Sequence, residues 1–338
     1  MTTDLPVMQA ILQHGYGNPR DVLRLGQVPR PEPGDGDVLI RVRATSVNTP
    51  DWATVAGVPS LLRLGVGLRR PRHPVRGSDV AGVVEAVGAR VTGLRPGDEV
   101  FGSLWGSAAS TRPGTFAEYT VAPGSQVTRK PAALSFTEAA ASVMSGLTAL
   151  IAMRDAGQVR DGSRVLVNGA SGGVGTMAVQ IAASMGAEVT GVCGAGSAGL
   201  VRSLGAVRVI DYAAEDFTRD RQRYDVILDN VLNRPPSATA QLLTPRGVLI
   251  PNSTGNTGGL LAGLPRVARA ILTGLGRTTV KTATLTVNRD NLSALAGLLE
   301  SGTVRVVIDK TYPLDCTAAA VAHMLSHHAR GKVAITVP

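Results

Sequence analysis

Residues 164–175, Arg-Val-Leu-Val-Asn-Gly-Ala-Ser-Gly-Gly-Val-Gly, carry the pattern with the clearest chemical meaning. Arg164 to Asn168 is the short apolar run of a buried parallel strand. Gly169, Gly172, Gly173 and Gly175 follow, and Thr176 to Met185 reads as a helix. A strand, a glycine turn and a helix in this order put backbone N–H groups at the start of a helix. Those groups and the helix dipole attract a phosphate. A Cβ in the turn would block positive φ or the close approach of a pyrophosphate. The candidates for holding a dinucleotide are therefore Gly169, Ser171, Gly172, Gly173, Val174 and Gly175. The spacing, Gly-x-x-Gly-Gly-x-Gly, is longer than the usual fingerprint, and alone it also fits a turn that binds nothing.

The elements around this turn decide between those readings. Ala187–Cys193 reads as a second buried strand, Val207–Ile210 as a third, Tyr224–Leu228 as a fourth and Gly247–Ile250 as a fifth. Ala198–Leu204 is helical in pattern and stops at Gly205, which suits a C-cap. Such alternation means a parallel sheet with right-handed crossovers, the Rossmann arrangement, with ligands outside the carboxyl ends of the strands. Cys193, Tyr212, Val231 and Asn252 stand at those ends and are expected to line the cofactor. An acid after the second strand would accept from a ribose 2′-OH and repel a 2′-phosphate. The stretch Cys193-Gly194-Ala195-Gly196-Ser197 has none, which leans towards NADPH, with NADH still open. Ser197, Arg202 and Tyr212 are the candidate phosphate partners.

The first third is β-rich. Val38–Val47 alternates apolar and polar residues, Val80–Val87 is a second strand, and a turn at Arg95-Pro96-Gly97-Asp98 leads into a third. Gly114–Val121 is a fourth. Short strands with glycine-rich turns predict a compact barrel-like domain. Near the end, Leu260–Leu272 reads as a surface helix, Thr278–Val287 as a strand, Asn291–Leu299 as a helix, and Val304–Tyr312 and Lys332–Val337 as strands that return to the first domain. The expected fold class is α/β: a Rossmann doubly wound parallel sheet, residues 127–288, inserted into a β-rich domain made of 1–126 and 289–338.

Bulk properties exclude several classes. Hydrophobic residues make up 44% and charged ones 17%, an ordinary globular balance that can build sizeable cores. The net charge of +9 raises the question of nucleic acid, but aromatics are only 3% and no recognition motif accompanies the arginines. The densest basic stretch, Arg63 to Arg76, reads as a solvated loop or as a rim that steers an anionic substrate. Two cysteines, Cys193 and Cys316, offer neither a disulfide framework nor a thiolate metal cluster. The first residues lack the pattern of a secretory signal, and no run of about 18 apolar residues suggests a membrane span. The expected setting is a reducing cytoplasm, with a small-molecule substrate and neither nucleic acid nor membrane as partner.

Several motifs in sequence resemble the medium-chain dehydrogenase/reductase superfamily, in its zinc-independent quinone oxidoreductase and enone reductase branch. They are Ser46-Val47-Asn48-Thr49-Pro50-Asp51-Trp52, Gly77-Ser78-Asp79-Val80-Ala81-Gly82, Arg95-Pro96-Gly97-Asp98-Glu99-Val100-Phe101-Gly102, Ser145-Gly146-Leu147-Thr148-Ala149, the glycine turn, and His328-Ala329-Arg330-Gly331-Lys332-Val333. The resemblance implies that the β-rich domain is GroES-like and that Thr148 joins the cofactor-binding residues. It also implies that Lys332 reaches the pyrophosphate, that the strand near residue 280 pairs two copies into a homodimer, and that Asn48 and Asp51 are catalytic.

Zinc-dependent members place Cys where this chain has Asn48 and His-Glu where it has Ser78-Asp79, and their structural lobe carries four closely spaced Cys that are missing here. Zinc needs about three protein ligands with nitrogen, sulfur or carboxylate donors. Asp79 and His73 are the remaining donors, so no zinc is expected. Without a metal, a substrate carbonyl must be polarised by hydrogen bonds, worth ~3 kcal/mol each in a dry site. That suits a conjugated enone or quinone better than a simple ketone. Asn48 would donate to the oxygen or to a water, and Asp51 would orient that network or relay a proton; the pair also fits a turn cap before Trp52. Some relatives carry a tyrosine as proton donor where this chain has Ala53, which leaves water or Tyr119. An enoyl-thioester or polyketide-intermediate reductase, and a non-catalytic NADPH-binding protein, are the alternatives.

Overall fold

The computed structural model describes residues 6–106, 114–253, 268–269, 271–272, 279–326 and 329–338. The chain forms two compact units: Met1–Met144 with Thr286–Glu300 and Ile308–Pro338, and Ser145–Leu285 with Ser301–Val307. The sequence reading divides the chain at 126/127; the structure divides it at 144/145. Hydrogen bonding explains the difference. Residues 127–129 form a strand paired with Val100–Gly102 of the β-rich unit, so the chain does not leave that unit at 126.

The β-rich unit contains β1 (Val7–Gln13), β2 (Leu23–Pro29), β3 (Asp37–Ser46), β4 (Asp79–Val87), β5 (Glu99–Ser103), β6 (Tyr119–Pro123), β7 (Val127–Arg129), β14 (Ile308–Pro313) and β15 (Lys332–Thr336). β1 and β2 form an antiparallel pair that the sequence reading misses. The others order as β14-β15-β3-β4-β5-β7, with β6 also on β3. β3 fits its half-buried pattern: Val38, Ile40, Val42 and Ala44 are fully buried, while Arg41 is exposed. β15 runs antiparallel to β3, with Ala334 opposite Ser46. That register sets Lys332, at the first position of β15, beside the residues that follow β3. Those residues turn into helix Thr49–Ala56, which begins with Pro50 in its first turn and ends at Gly57 in the left-handed conformation.

The second unit contains β8 (Arg164–Asn168), β9 (Glu188–Cys193), β10 (Arg208–Asp211), β11 (Tyr224–Asp229), β12 (Leu243–Pro251) and β13 (Thr279–Val280). All pairings are parallel, in the order β10-β9-β8-β11-β12-β13. Counted from β8 this is the 3-2-1-4-5-6 order of a dinucleotide fold, with its topological switch between β8 and β11. Leu166, Val192, Ile210, Phe217, Tyr224, Ile227, Leu242 and Leu249 form one buried cluster in this unit. The parallel sheet and the β-rich unit are those the sequence predicts.

Four expectations change, the first being the predicted strand Gly114–Val121, which becomes Tyr119–Pro123. The helix after the glycine turn starts at Gly173, three residues before the predicted Thr176. The predicted strand Thr278–Val287 shrinks to Thr279–Val280, and the predicted strand Val304–Tyr312 becomes Ile308–Pro313. Alternation alone does not make a strand without a partner to complete its ladder. The predicted helix Leu260–Leu272 lies almost wholly outside the described residues. One helix, Phe136–Ala156, is long and apolar enough to cross a membrane by composition, although Glu138, Ser142, Ser145 and Thr148 interrupt its apolar run; most of it is buried inside the protein.

Candidate functional site

Two places concentrate chemistry, one in each unit. In the parallel unit, β8 ends at Asn168 and the chain turns through Gly169, whose φ is +76°. The turn is tied down by Gly169 N and Ala170 N, which both donate to Val192 O, and by Gly172 N, which donates to Gly169 O. A Cβ at Gly175 would lie 2.1 Å from Gly169 O, so no side chain can stand there. A Cβ at Gly172 would meet nothing nearer than Gly169 O at 3.5 Å. The backbone is thus closed behind the turn and open in front of it. With the helix starting at Gly173, that opening faces unpaired N–H groups at a helix N-terminus, and the cradle fits a pyrophosphate.

The sheet register brings the other expected cofactor residues to the same edge. Asn168 stands beside Asp229 and Val192, Asp229 beside Pro251, and Cys193 beside Asp211. Cys193, Val231 and Asn252 therefore follow the carboxyl ends of neighbouring strands. Cys193 is buried, with its thiol pushed up by burial, which makes it a wall and not a nucleophile. Tyr212 is 58% exposed and stands over Gly194. Ser171, Val174 and Ser197 are half-buried and Thr148 is buried.

Sequence reasoning missed two residues under the turn. Asp229 is fully buried; its Oδ1 accepts from Asn168 Nδ2 at 2.8 Å and from Val231 N and Leu232 N at 3.1 and 2.8 Å. Asn230 Nδ2 donates to Asn168 O, and Asn252 Nδ2 donates to Asn230 Oδ1. The network fixes the ends of β8, β11 and β12 in step. An Asn and an Asp ending two neighbouring buried strands are the sequence signal that could have found it. Asp211, at the end of β10, is an acid the cofactor argument did not weigh; its carboxylate caps Ala213 N at 3.1 Å.

In the β-rich unit, Asn48 is the hub of a buried polar cluster. Asn48 is 5% exposed, Asp51 6%, Ser78 3%, Asp79 0% and Lys332 4%. Asn48 Nδ2 donates to Asp79 Oδ2 at 2.8 Å. Asn48 Oδ1 accepts from Lys332 Nζ at 2.5 Å, and the same ammonium donates to Val47 O at 3.0 Å. Asn48 N donates to Asp51 Oδ2 at 2.9 Å, and Ser78 Oγ donates to Asp51 Oδ1 at 3.0 Å. Ser46 Oγ donates to Asp79 Oδ2 at 2.8 Å, with Met144 N near the same oxygen at 3.4 Å; Asp79 Oδ1 is buried without a partner. Bonds of this kind to charged groups contribute about 1.5–3 kcal/mol each.

Electrostatics follow from the burial. The Asp51 carboxyl is pushed up to about 7, first by burial and then by the Asp79 charge, against the pull of Ser78, Asn48 and Lys332. Burial also raises Asp79 and lowers Lys332, while their mutual attraction opposes both shifts. The arrangement can hold a proton on Asp51 near neutral pH and a fixed amide at Asn48.

The structure thus joins Asn48 and Asp51 and adds Ser46, Ser78 and Asp79. For Lys332, which the resemblance assigns to the pyrophosphate, the structure shows the ammonium donating to Val47 O and Asn48 Oδ1. A lysine opening a buried strand, Lys-Val-Ala-Ile, must find an acid, and that was the available signal. Asn48 and Asp51 do stand as a capping box at the helix start, as the turn-cap reading expects, but the hydrogen bonds of the Asn48 side chain go to Asp79 and Lys332. Tyr119 lies under the Arg30 guanidinium at 3.9 Å and takes no part in the cluster's hydrogen bonds. His73 is exposed while Asp79 is buried, and no group of three His, Cys, Asp or Glu suited to a metal occurs among the described residues.

The basic loop is not uniform. Arg63 donates to Gly57 O and Ala56 O and lies over the Tyr16 ring at 4.6 Å. Arg76 is buried with Nε on Gln13 Oε1 at 2.6 Å, whereas Arg69, Arg70 and Arg72 are exposed.

Comparison with known proteins points the same way. Residues 34–132 match the alcohol dehydrogenase GroES-like domain family, and residues 204–335 match a family described as zinc-binding dehydrogenase. The chain is 32% identical to the mitochondrial NAD(P)H oxidoreductase RTN4IP1 of Mus musculus, covering 89% of this chain and 82% of that protein. It is 31% identical to the chloroplastic quinone-oxidoreductase QR1 of Triphysaria versicolor, covering 97% and 98%. The solved quinone oxidoreductase of Coxiella burnetii superposes with a TM-score of 0.85 at 26% identity, over 98% of this chain and all of that one (100%).

Proposed function

This chain belongs to the medium-chain dehydrogenase/reductase superfamily, in its quinone oxidoreductase branch of NAD(P)H-dependent oxidoreductases, and we propose that it reduces quinones or α,β-unsaturated carbonyls with NADPH and without zinc. The observation that carries this reading is the Asn48–Asp51–Ser78–Asp79–Lys332 cluster. An amide and a hydroxyl stand where a metal would need thiolate or imidazole, and an ammonium is already seated on Asn48. A dication beside that ammonium would meet repulsion, and among the described residues no group of three His, Cys, Asp or Glu is placed to hold it. The relatives' names support the acceptor class.

The nicotinamide supplies the hydride when bound. The chain's residues handle the oxygen and the proton. Asn48 Nδ2 gives one hydrogen to Asp79; the other has no partner among the described residues and serves a carbonyl oxygen. Asp51 holds a proton near neutral pH in contact with Ser78. With Asp51 protonated, that bond reverses, and Ser78 passes its own proton outward as Asp51 replaces it. One hydride and one proton convert a quinone to its hydroquinone or an enone to its saturated carbonyl. Burial excludes water from the donors, which strengthens each bond to developing negative charge.

NADPH is favoured by the acid-free turn after β9 and by Arg202, which lies within electrostatic reach of Cys193. A homodimer is favoured by β13, which ends the six-stranded sheet among the described residues and so stands at an edge that a second copy can extend. Steady-state oxidation of NADPH and NADH against quinones, enones, enoyl thioesters and simple ketones, with and without chelator, tests the reading. Turnover of quinones or enones untouched by chelator is the expected result. Activity confined to simple ketones and lost on chelation would overturn it, and a preference for enoyl thioesters would move the substrate class.

A further inference from the structure

Asn48 can face either way, because a side-chain amide exchanges its oxygen and nitrogen by a half-turn. At the helix start the amide lies near the Asp51 backbone N–H, as in a capping box, without closing a side-chain hydrogen bond to it. Two charged neighbours select the orientation. Lys332 Nζ sits 2.5 Å from Oδ1, and Asp79 Oδ2 sits 2.8 Å from Nδ2. Turned over, the amide would set its NH2 against an ammonium and its oxygen against a carboxylate. The ammonium is held in turn by Val47 O, one residue before Asn48. The lysine comes from the far end of the chain, brought there by the pairing of β15 with β3.

We propose that Lys332 is a positioning residue that acts through Asn48: its ammonium, set against Asp79, locks the amide so that an Nδ2 hydrogen always faces the substrate oxygen. The kinetic part rests on the reading of the protein as an NADPH-dependent reductase; the orientation itself does not. The role differs in kind from contact with a cofactor phosphate, because it predicts loss of turnover with cofactor affinity intact.

The test uses the full-length protein and the variants Lys332→Met, Lys332→Arg and the double variant Asp79→Asn/Lys332→Met. In Lys332→Met, kcat is expected to fall about 10- to 100-fold, the scale for a displaced catalytic group. The NADPH dissociation constant, read by nicotinamide fluorescence, is expected to stay put. Lys332→Arg keeps the cation and restores part of kcat. The double variant removes both charges, which protects it from an unpaired buried carboxylate, and its kcat is expected to remain low because the amide put in place of Asp79 can itself turn over and no longer imposes one orientation.

A second readout needs no turnover. The groups that face Asp51 are Asp79, Lys332, Arg76 and the Ser78 hydroxyl. Removing the Lys332 cation moves the titration of Asp51, seen in the pH dependence of thermal unfolding, to higher pH. A weakened NADPH affinity with kcat preserved at saturating NADPH would overturn the proposal, as would wild-type kcat in the double variant or an unmoved Asp51 titration. If the wild-type protein reduces no acceptor, the proposed function fails, and the fluorescence and titration arms still decide the role of Lys332.

Discussion

The two chemical centres are built by opposite means. The glycine turn of the parallel unit is main chain: its donors are N–H groups, and its shape depends on side chains that are not there. The cluster of the β-rich unit is built chiefly from side chains, with two carboxylates and an ammonium buried among hydroxyls and an amide. Uncharged backbone dipoles can wait for an anion at little cost. Buried charges cannot wait; they must neutralise one another or hold protons. The donors of the first region are therefore local in sequence and do not titrate, although Asp229 beneath them does, and the second region is assembled from distant segments and tuned by titration.

The largest expected effect breaks the turn. Gly175→Val drives a side chain into Gly169 O, so it should abolish the fluorescence change on NADPH addition and lower the unfolding temperature. Gly172→Ala points its methyl into open space and should spare the unfolding temperature while weakening NADPH binding. If both variants lose stability equally, the turn is structural in front as well as behind.

Next comes the cluster. Asn48→Ala removes a fixed donor and should cost about a hundredfold in kcat, with NADPH affinity unchanged. A loss seen only in KM for the acceptor would reassign Asn48 to substrate binding.

The most gradual effect, spread over several pH units, separates the regions by pH. Burial and the Asp79 charge push the Asp51 carboxyl up to about 7 from its ordinary 3.8, so the folded state holds a proton that the unfolded state has released. Between those values stability falls as pH rises, by about 1.4 kcal/mol per unit from this group. Asp51→Asn should flatten that slope in denaturant unfolding across the same window. An unchanged slope would shift the effect to Asp79 or Asp229, whose carboxyls burial also raises.

Lys332 shows where a linear reading stops. Its neighbours Gly331 and Val333 mark a strand start, and resemblance offered a phosphate as its partner. Its actual partners, Val47 and Asn48, lie 285 and 284 residues away. Asp79 was legible only as a poor zinc ligand, since its bonds to Ser46 and Asn48 depend on how β3 and β4 pair. The division at 144/145 was hidden for the same reason: β7 is three residues long, and only its ladder with β5 reveals its allegiance.

The sequence by itself determined the parallel sheet, its strand ends and the glycine cradle, because hydrophobic period and missing Cβ atoms act over a few consecutive residues. Tertiary structure alone decided which charges meet, which carboxyl keeps a proton and which way Asn48 faces. Those outcomes depend on register and burial, and Coulomb forces between buried groups take no account of separation along the chain.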